Sequence, residues 1–443
     1  MLLTIEKLIY GGDGLARWAD PARASHEQGP GKTVFVPFVL DGERIEAELV
    51  EDKSGFARAR MVAVVEPSAA RTPPPCPYFG ECGGCHYQHT GYENQLHIKE
   101  RILRETFVRI AKLELPSSVQ VHPSPPWNYR NRTRMRVRAN SHEFMMGYNR
   151  MRSTEVLAVR ECPISSLLIN RAISVLWGLG ESGHVLTGIR EVEFFSDAED
   201  QRLLLELTVA GGSHNSDQLG EFARALREAL PEIASITVFE EMRRGQITRK
   251  EMRQISGKEF GSREMLYRVG TAEYRVSAGS FFQTNRFLTD AIVQVATGGL
   301  RGESVLDLYA GVGLFSLPLA RSFERVTAVE VDSSSFADLK RNLPNNAVAR
   351  KLTTEAFLGG LKQQTRFDAV VVDPPRAGLG ENVARKLAAL GAKEVVYVSC
   401  DPPTLARDSR ALAQAGYRIE QAHLFDLFPQ TFHIESVLRF RRA

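Results

Sequence analysis

One thiol stands apart in this 443-residue chain. Cys400 follows the run Val-Val-Tyr-Val-Ser at 395–399 and precedes Asp401-Pro402-Pro403. The run is apolar and rich in β-branched types, which predicts a buried strand. The prolines force a rigid exit, so the thiol is held at the strand's carboxyl end. A cysteine in such a run is often a small apolar filler; held at a turn, it is also a candidate nucleophile once ionised. Three further apolar runs end on residues able to bind or act. Tyr309 and Gly311-Val312-Gly313 follow SVLDL, Glu330 closes RVTAV, and Asp373 closes DAVVV ahead of Pro374-Pro375-Arg376. In an open parallel sheet, ligands bind outside the carboxyl ends of the strands. The glycines let the backbone come close to a ligand. The dinucleotide fingerprint asks for a third glycine where Ser316 stands, while Glu330 is placed to hold ribose hydroxyls. A nucleoside cofactor without a pyrophosphate fits that combination, and S-adenosyl-L-methionine is such a cofactor.

The other four cysteines are Cys76, Cys82, Cys85 and Cys162. No apolar run reaches the roughly 18 residues of a membrane span, and the start lacks the long apolar core of a signal peptide. A cytoplasmic location is therefore expected, where thiols stay reduced and disulfides are rare. Three clustered thiols plus a remote fourth differ from the paired Cys-x2-Cys units of most zinc sites. The set suits a cluster held by four thiolates, with zinc as the alternative.

These side chains need elements to hold them. A chain of this length exceeds one ordinary core, so two or three domains are expected. Hydrophobic residues make up 43% and charged residues 25%, a globular rather than disordered composition. The formal net charge of +3 is mild, so any grip on nucleic acid must be local. Residues 1–68 carry short alternating runs that predict a small antiparallel β-barrel. RTPPP at 71–75 reads as a linker. Residues 69–265 predict an α+β domain carrying the four cysteines, with a helix over 92–115, a hairpin over 190–210 and a helix over 216–230. In residues 266–443, strands alternate with helices, which predicts an α/β, doubly wound, Rossmann-like sheet.

A basic stretch sits in the middle domain. Arg130, Arg132, Arg134, Arg136 and Arg138 recur with period two, so on a strand they share one face. Residues 99–160 hold 13 Lys and Arg against 5 Asp and Glu. RNA phosphate would neutralise such a face; a solvated face with nearby acids is the plainer account. The first 70 residues count 8 basic against 11 acidic, which points the barrel towards shape or base contacts rather than phosphates.

Four spaced motifs make the chain resemble the RNA uridine-5 methyltransferases over nearly its whole length. They are Phe281-Phe282-Gln283-Thr284-Asn285, Asp373-Pro374-Pro375-Arg376-Ala377-Gly378, Ser399-Cys400-Asp401-Pro402 with Thr404 to Asp408, and His433-Ile434-Glu435-Ser436-Val437. The resemblance implies S-adenosyl-L-methionine-dependent methylation of carbon 5 of a uridine, with Cys400 as nucleophile and Glu435 as base. It implies that Gln283, Tyr309, Gly311, Gly313, Leu314, Glu330 and Asp373 hold the cofactor. Leu314 departs from the Asn found in many relatives, and Ala356 from the Asp or Asn expected near the adenine. One branch of the family carries a [4Fe–4S] cluster on cysteines spaced like Cys76, Cys82, Cys85 and Cys162, and the barrel resembles a TRAM domain. That branch implies 23S rRNA as substrate, with the T-loop of tRNA as the alternative. A target uridine must be flipped or loop-borne to expose carbon 6. A monomer is expected. Two readings of other classes stand beside this one. A non-catalytic iron–sulfur RNA-binding protein would not need Cys400, Glu435 and Asp373 together. A radical methylthiotransferase would need Cys-x3-Cys-x2-Cys, whereas the first gap here is five.

Overall fold

A computed structural model describes residues 1–18, 31–139, 143–184, 188–210, 216–242, 251–255, 261–262, 264–362 and 364–442. The chain opens with β1 (Leu2–Leu8), β2 (Asp13–Trp18), β3 (Lys32–Pro37), β4 (Arg44–Asp52) and β5 (Phe56–Glu66). They close into a barrel in the order β1-β2-β3-β5-β4. Leu3, Ile5, Val34, Val36, Ile45, Ala47, Ala57 and Ala59 point inward and are buried, which is the alternation that defines the strands. Small alanines on one wall let large side chains from the others fill the lumen.

Helix α1 (Tyr92–Thr106) follows and widens into a π-helical turn over Phe107–Ala111. It ends within the segment expected to be helical. Next comes β6 (Val119–His122). The middle sheet is built from β7 (Arg132–Ala139), β8 (Phe144–Asn149), β9 (Val156–Ala158), β10 (Ile189–Ser196), β11 (Leu203–Ala210), β12 (Ile233–Met242) and β13 (Glu251–Ile255). Its order is β13-β12-β11-β10-β7-β8-β9. Helices α2 (Leu167–Glu181) and α3 (Ser216–Ala229) bury Ile173, Trp177, Phe222 and Leu226 against Met135, Val137 and Phe194 of the sheet.

The hairpin β14 (Glu264–Val269) and β15 (Ala272–Ser277) spans the expected boundary at 265/266. The last part holds α4 (Thr289–Thr297), β16 (Gly302–Leu308), α5 (Ser316–Leu319), β17 (Phe323–Val329), α6 (Ser333–Asn342) and β18 (Ala347–Arg350). Then come α7 (Thr354–Gly359), β19 (Ala369–Val372), α8 (Glu381–Ala389), β20 (Glu394–Ser399), α9 (Pro402–Gln414), β21 (Tyr417–Phe425) and β22 (Glu435–Arg442). The sheet order is β18-β17-β16-β19-β20-β22-β21-β6. Strands β16 to β20 are parallel, β22 runs antiparallel to β20 and β21, and β6 runs parallel to β21. A short strand of the middle segment is thus the edge of the last sheet. No described helix is long and apolar enough to cross a membrane.

Candidate active site

The sheet topology gathers the strand-end residues. The parallel strands present their carboxyl ends at one edge, and an antiparallel strand presents its first residue there. Ser399 of β20 pairs with Ser436 of β22. The next step of the same register sets Cys400 opposite Glu435, two residues 35 apart in sequence.

Cys400 also sits at the head of α9. The Asp401 side chain caps that helix, accepting from the Thr404 N–H at 3.0 Å, and Pro402 occupies the first turn. The positive end of a helix favours a thiolate. Other forces oppose it. Burial pushes the Cys400 thiol up to about 12, helped by the negative charges of Glu435 and Asp373, while Arg376 pulls it down. Burial likewise raises the Glu435 carboxyl well above the usual range, reinforced by Asp373 and opposed by Arg376. Arg376 is the cation that eases ionisation of both.

The cofactor half of the edge begins at β16. Tyr309 bends the chain with φ +61°, followed by Gly311 at +57° and Gly313 at +96°. A side chain at Gly313 would also press on Leu339 at 3.0 Å. The Gly311 N–H donates to Oε2 of Glu330 at 2.9 Å, and Val331 and Asp332 N–H donate to Oε1, each at 2.7 Å. Glu330 is therefore locked at the end of β17. Asp373 is half-buried at the end of β19; desolvation and its neighbour Asp307 raise it to about 7. Gln283 is buried in the segment that joins the middle sheet to this edge, where the Thr284 carbonyl accepts from Asn131.

Leu314 does not share this exposure to the edge. Its side chain packs in the apolar core with Phe315 and Val312, and its carbonyl accepts from Tyr274 at 3.0 Å. The Ala356 N–H is taken by the Thr353 hydroxyl, which caps α7.

Several residues that shape this edge were not singled out from sequence. Asp307 lies in β16, fully buried, with Oδ2 accepting from the Ser316 hydroxyl and Oδ1 without a partner. Burial lifts it to about 7, with Glu330 adding. The serine that replaces the third glycine is thus a partner for this carboxyl. The buried Asp307, with an orphaned oxygen, and the half-buried Asp373 fit a cofactor carrying positive charge. Loop 426–433, which leads into Glu435, is held by the middle segment. Gln430, at φ +69°, receives His86 and Tyr87 N–H on its carbonyl at 2.7 and 3.0 Å; its side-chain oxygen accepts from the Gln95 amide and its backbone N–H donates to the Gln95 Oε1. Lys99 donates to Asp426 at 2.6 Å and to the Phe428 carbonyl at 3.0 Å.

The four cysteines Cys76, Cys82, Cys85 and Cys162, all free, border one cavity of about 220 Å³ with Tyr78, Phe79 and Arg130. Burial, with the charges of Cys162 and Cys76 adding, raises Cys82 to about 11, as expected of thiols facing one another. Among the described residues, no group of three or more His, Cys, Asp or Glu side chains is arranged to hold a metal ion.

The arginine stripe has a plainer role than a bare phosphate grip. On β10, Glu191 lies opposite Arg136 and Glu193 opposite Arg134. Arg132 pairs with Glu193 and Glu206, Arg134 with Glu193, and Arg136 with Glu191. Three of the five guanidiniums are neutralised within the sheet, so for these three the nearby acids, the plainer of the two accounts, are the ones present.

Comparison with known proteins agrees with this architecture. Residues 1–62 match the model of the TRAM domain, and residues 91–443 match that of the tRNA (uracil-5-)-methyltransferases. The chain belongs to the tRNA (uracil-5-)-methyltransferase family. This family member is 33% identical to a protein of Aquifex aeolicus named an uncharacterized RNA methyltransferase, over 98% of this chain and 97% of the other. It is 31% identical to the 23S rRNA (uracil(1939)-C(5))-methyltransferase RlmD of Vibrio cholerae, over 99% and 95%. The crystal structure of the Pyrococcus abyssi tRNA (uracil-54, C5)-methyltransferase with S-adenosyl-L-homocysteine shares its fold. The TM-score is 0.73, with 24% identity over 99% of this chain and 100% of that one.

Proposed function

We propose that this enzyme methylates carbon 5 of a uridine in 23S rRNA, through a covalent bond between Cys400 and carbon 6. One observation carries the reading: the Ser399–Ser436 register, which continues to Cys400 and Glu435. The cofactor, S-adenosyl-L-methionine, supplies an electrophilic methyl group. Uracil carbon 5 is a poor nucleophile until a thiolate adds to carbon 6. The Cys400 sulfur then forms the new bond, and the electron pair of the 5,6 double bond moves towards carbon 5 and O4 as an enolate. Carbon 5 takes the methyl group as the methyl–sulfonium bond breaks, and the donor leaves as the neutral thioether S-adenosyl-L-homocysteine. Glu435, as carboxylate, removes the remaining proton from carbon 5. The carbon–sulfur bond breaks, restoring the double bond and the thiolate. Arg376 stabilises the anionic forms of Cys400 and Glu435. Gln283, Tyr309, Gly311, Gly313, Glu330 and Asp373 hold the cofactor, with Asp307 beneath them.

Full-length relatives named for 23S rRNA at 31% and 32% identity favour that substrate over tRNA. Because one chain carries both reacting groups and the cofactor edge, a monomer suffices. We also assign a [4Fe–4S] cluster to Cys76, Cys82, Cys85 and Cys162. Their shared cavity supports it. Zinc on the same four thiolates is the alternative, and the lack of a ready-made metal-holding group among the described residues bears on both equally. A cluster would tie residues 76–85 to Cys162; the methylation itself needs no redox step.

The test is transfer from labelled S-adenosyl-L-methionine to unmodified 23S rRNA fragments and to tRNA, with Cys400→Ala as control. Label recovered as 5-methyluridine in the rRNA, and lost in the variant, is expected. Label in tRNA alone overturns the substrate, and no label in either overturns the activity. Anaerobically purified protein should be brown; a colourless protein with stoichiometric zinc overturns the cluster.

A further inference from the structure

The N-terminal barrel reaches the turn that carries the nucleophile. Tyr10 lies in the loop between β1 and β2. Its hydroxyl donates to Oδ2 of Asp401 at 3.1 Å and lies 3.4 Å from the Cys400 carbonyl oxygen. The other Asp401 oxygen caps α9. Both oxygens of this carboxylate are therefore committed, one to the helix and one to the barrel. The Tyr10 ring packs edge-on against Phe432, with centroids 5.7 Å apart. Phe432 in turn touches His433 at 4.3 Å and His86 at 4.6 Å. One side chain thus meets the turn holding Cys400 and the segment leading to Glu435.

The barrel is tied down on the same side. The Leu8 N–H donates to Asp41, whose other oxygen pairs with Arg101 of α1. Lys7 pairs with Glu105 of α1 at 2.6 Å, and Arg71 pairs with the buried Glu43. The His89 ring meets the Val39 carbonyl at 3.2 Å. At Gly12, with φ +89°, an added side chain would meet the His86 ring carbons at 3.4 Å. The loop that presents Tyr10 is seated, not dangling.

We propose that Tyr10 is a positioning residue for the nucleophile: through its bond to Asp401, the barrel sets the orientation of Cys400 and takes part in the chemistry as well as in RNA contact. This rests on the reading of Cys400 as the nucleophile. The groups facing Cys400 are Glu435 from β22, Asp373 and Arg376 after β19, and Asp401 beside it. Three of these four are acids that oppose the thiolate. A hydroxyl donated to Asp401 offsets part of one of those charges. Burial, and then Asp401, hold the Tyr10 hydroxyl protonated well beyond the ordinary tyrosine range, so it stays a donor.

The experiment compares Tyr10→Phe, Asp401→Asn, the double variant and Cys400→Ala. Methyl transfer is resolved into kcat and KM for RNA, and alkylation of the Cys400 peptide by iodoacetamide is followed across pH. A hydrogen bond to a charged group is worth enough for kcat to fall about tenfold in Tyr10→Phe, with KM for RNA unchanged. The alkylation profile should move to higher pH. In Asp401→Asn, whose amide still caps a helix, Tyr10→Phe should have no further effect, an outcome that general loosening of the fold does not produce. Wild-type kcat and alkylation in Tyr10→Phe, a rise in KM alone, or additive effects in the double variant overturn the proposal while leaving the nucleophile in place. A Cys400→Ala protein that still methylates overturns the underlying reading instead.

Discussion

Nζ of Lys99 lies 2.6 Å from Oδ1 of Asp426, and both side chains are completely buried. The pair joins α1 to the loop that feeds Glu435 into the active edge. A buried pair gains little over a well-packed apolar pair, but breaking it strands a charge.

Lys99→Met should therefore destabilise the protein by about 3–5 kcal/mol, and Lys99→Met with Asp426→Leu should recover most of the loss. Urea unfolding of the two variants and the parent measures this. Equal losses in the single and double variants would show that shape, not charge, matters at this junction.

Cys400 and Glu435 should fail at different steps. Cys400→Ala removes the bond to carbon 6 and abolishes transfer. Glu435→Gln should slow turnover by about 10²–10⁴-fold, the range of a lost general base, yet still form the adduct. A methylated protein–RNA species that survives denaturing electrophoresis in Glu435→Gln is the expected sign. If that variant leaves free, unmethylated RNA, the base has been misassigned.

Asp307 and Asp373 predict a pH dependence of fold stability. Each has a folded value near 7 against an ordinary 3.8, so the folded state holds protons that the unfolded state has released. Their contribution to stability is fully present below about 3.8 and is lost as pH rises through about 7. The cofactor-free protein should melt at progressively lower temperature over that interval. A positively charged cofactor should restore it. Asp307→Asn should flatten the slope and raise the melting temperature at pH 8, while weakening S-adenosyl-L-methionine binding about tenfold in calorimetry. A variant that is less stable at every pH would contradict the assignment of a strained carboxylate.

Arg136→Ala should cost stability before it costs RNA. Its partner Glu191 is buried and would lose its 2.5 Å contact. The loss should appear in thermal melting with RNA absent. By contrast, a loss confined to salt-dependent RNA binding would restore the view of this residue as a phosphate contact.

The sequence was legible where chemistry sits at the end of a strand. Tyr309, Glu330, Asp373 and Cys400 each close an apolar run, so topology alone gathers them once the sheet is parallel. Glu435 became legible through its motif; the register opposite Cys400 needed the antiparallel β22. What stayed hidden was long-range. Nothing local links Lys99 to Asp426, or Gln95 to Gln430. The four-residue β6, with its polar Gln120 and His122, carries too little pattern to be assigned to a sheet built 300 residues later. The arginine stripe showed its shared face but not the glutamates of the neighbouring strands. Leu314 followed a glycine turn, and its apolar side chain, pointing to the core, was the signal that any ligand contact there is a main-chain one.

The pairing of β6 with β21 has a consequence for how the molecule is made. Residues 119–122 wait for residues 422–425 before their edge of the sheet is complete. Domains usually form in order as the chain emerges during synthesis, but here a segment near residue 120 stays unsheltered until β21, about 300 residues further on, is available. Pairings of such wide sequence separation form slowly and expose strand edges meanwhile. The barrel can close early from its own strands. The cysteine-bearing segment docks on Gln430 and Phe432 and so gains its final lining only once residues 430–432 have been made.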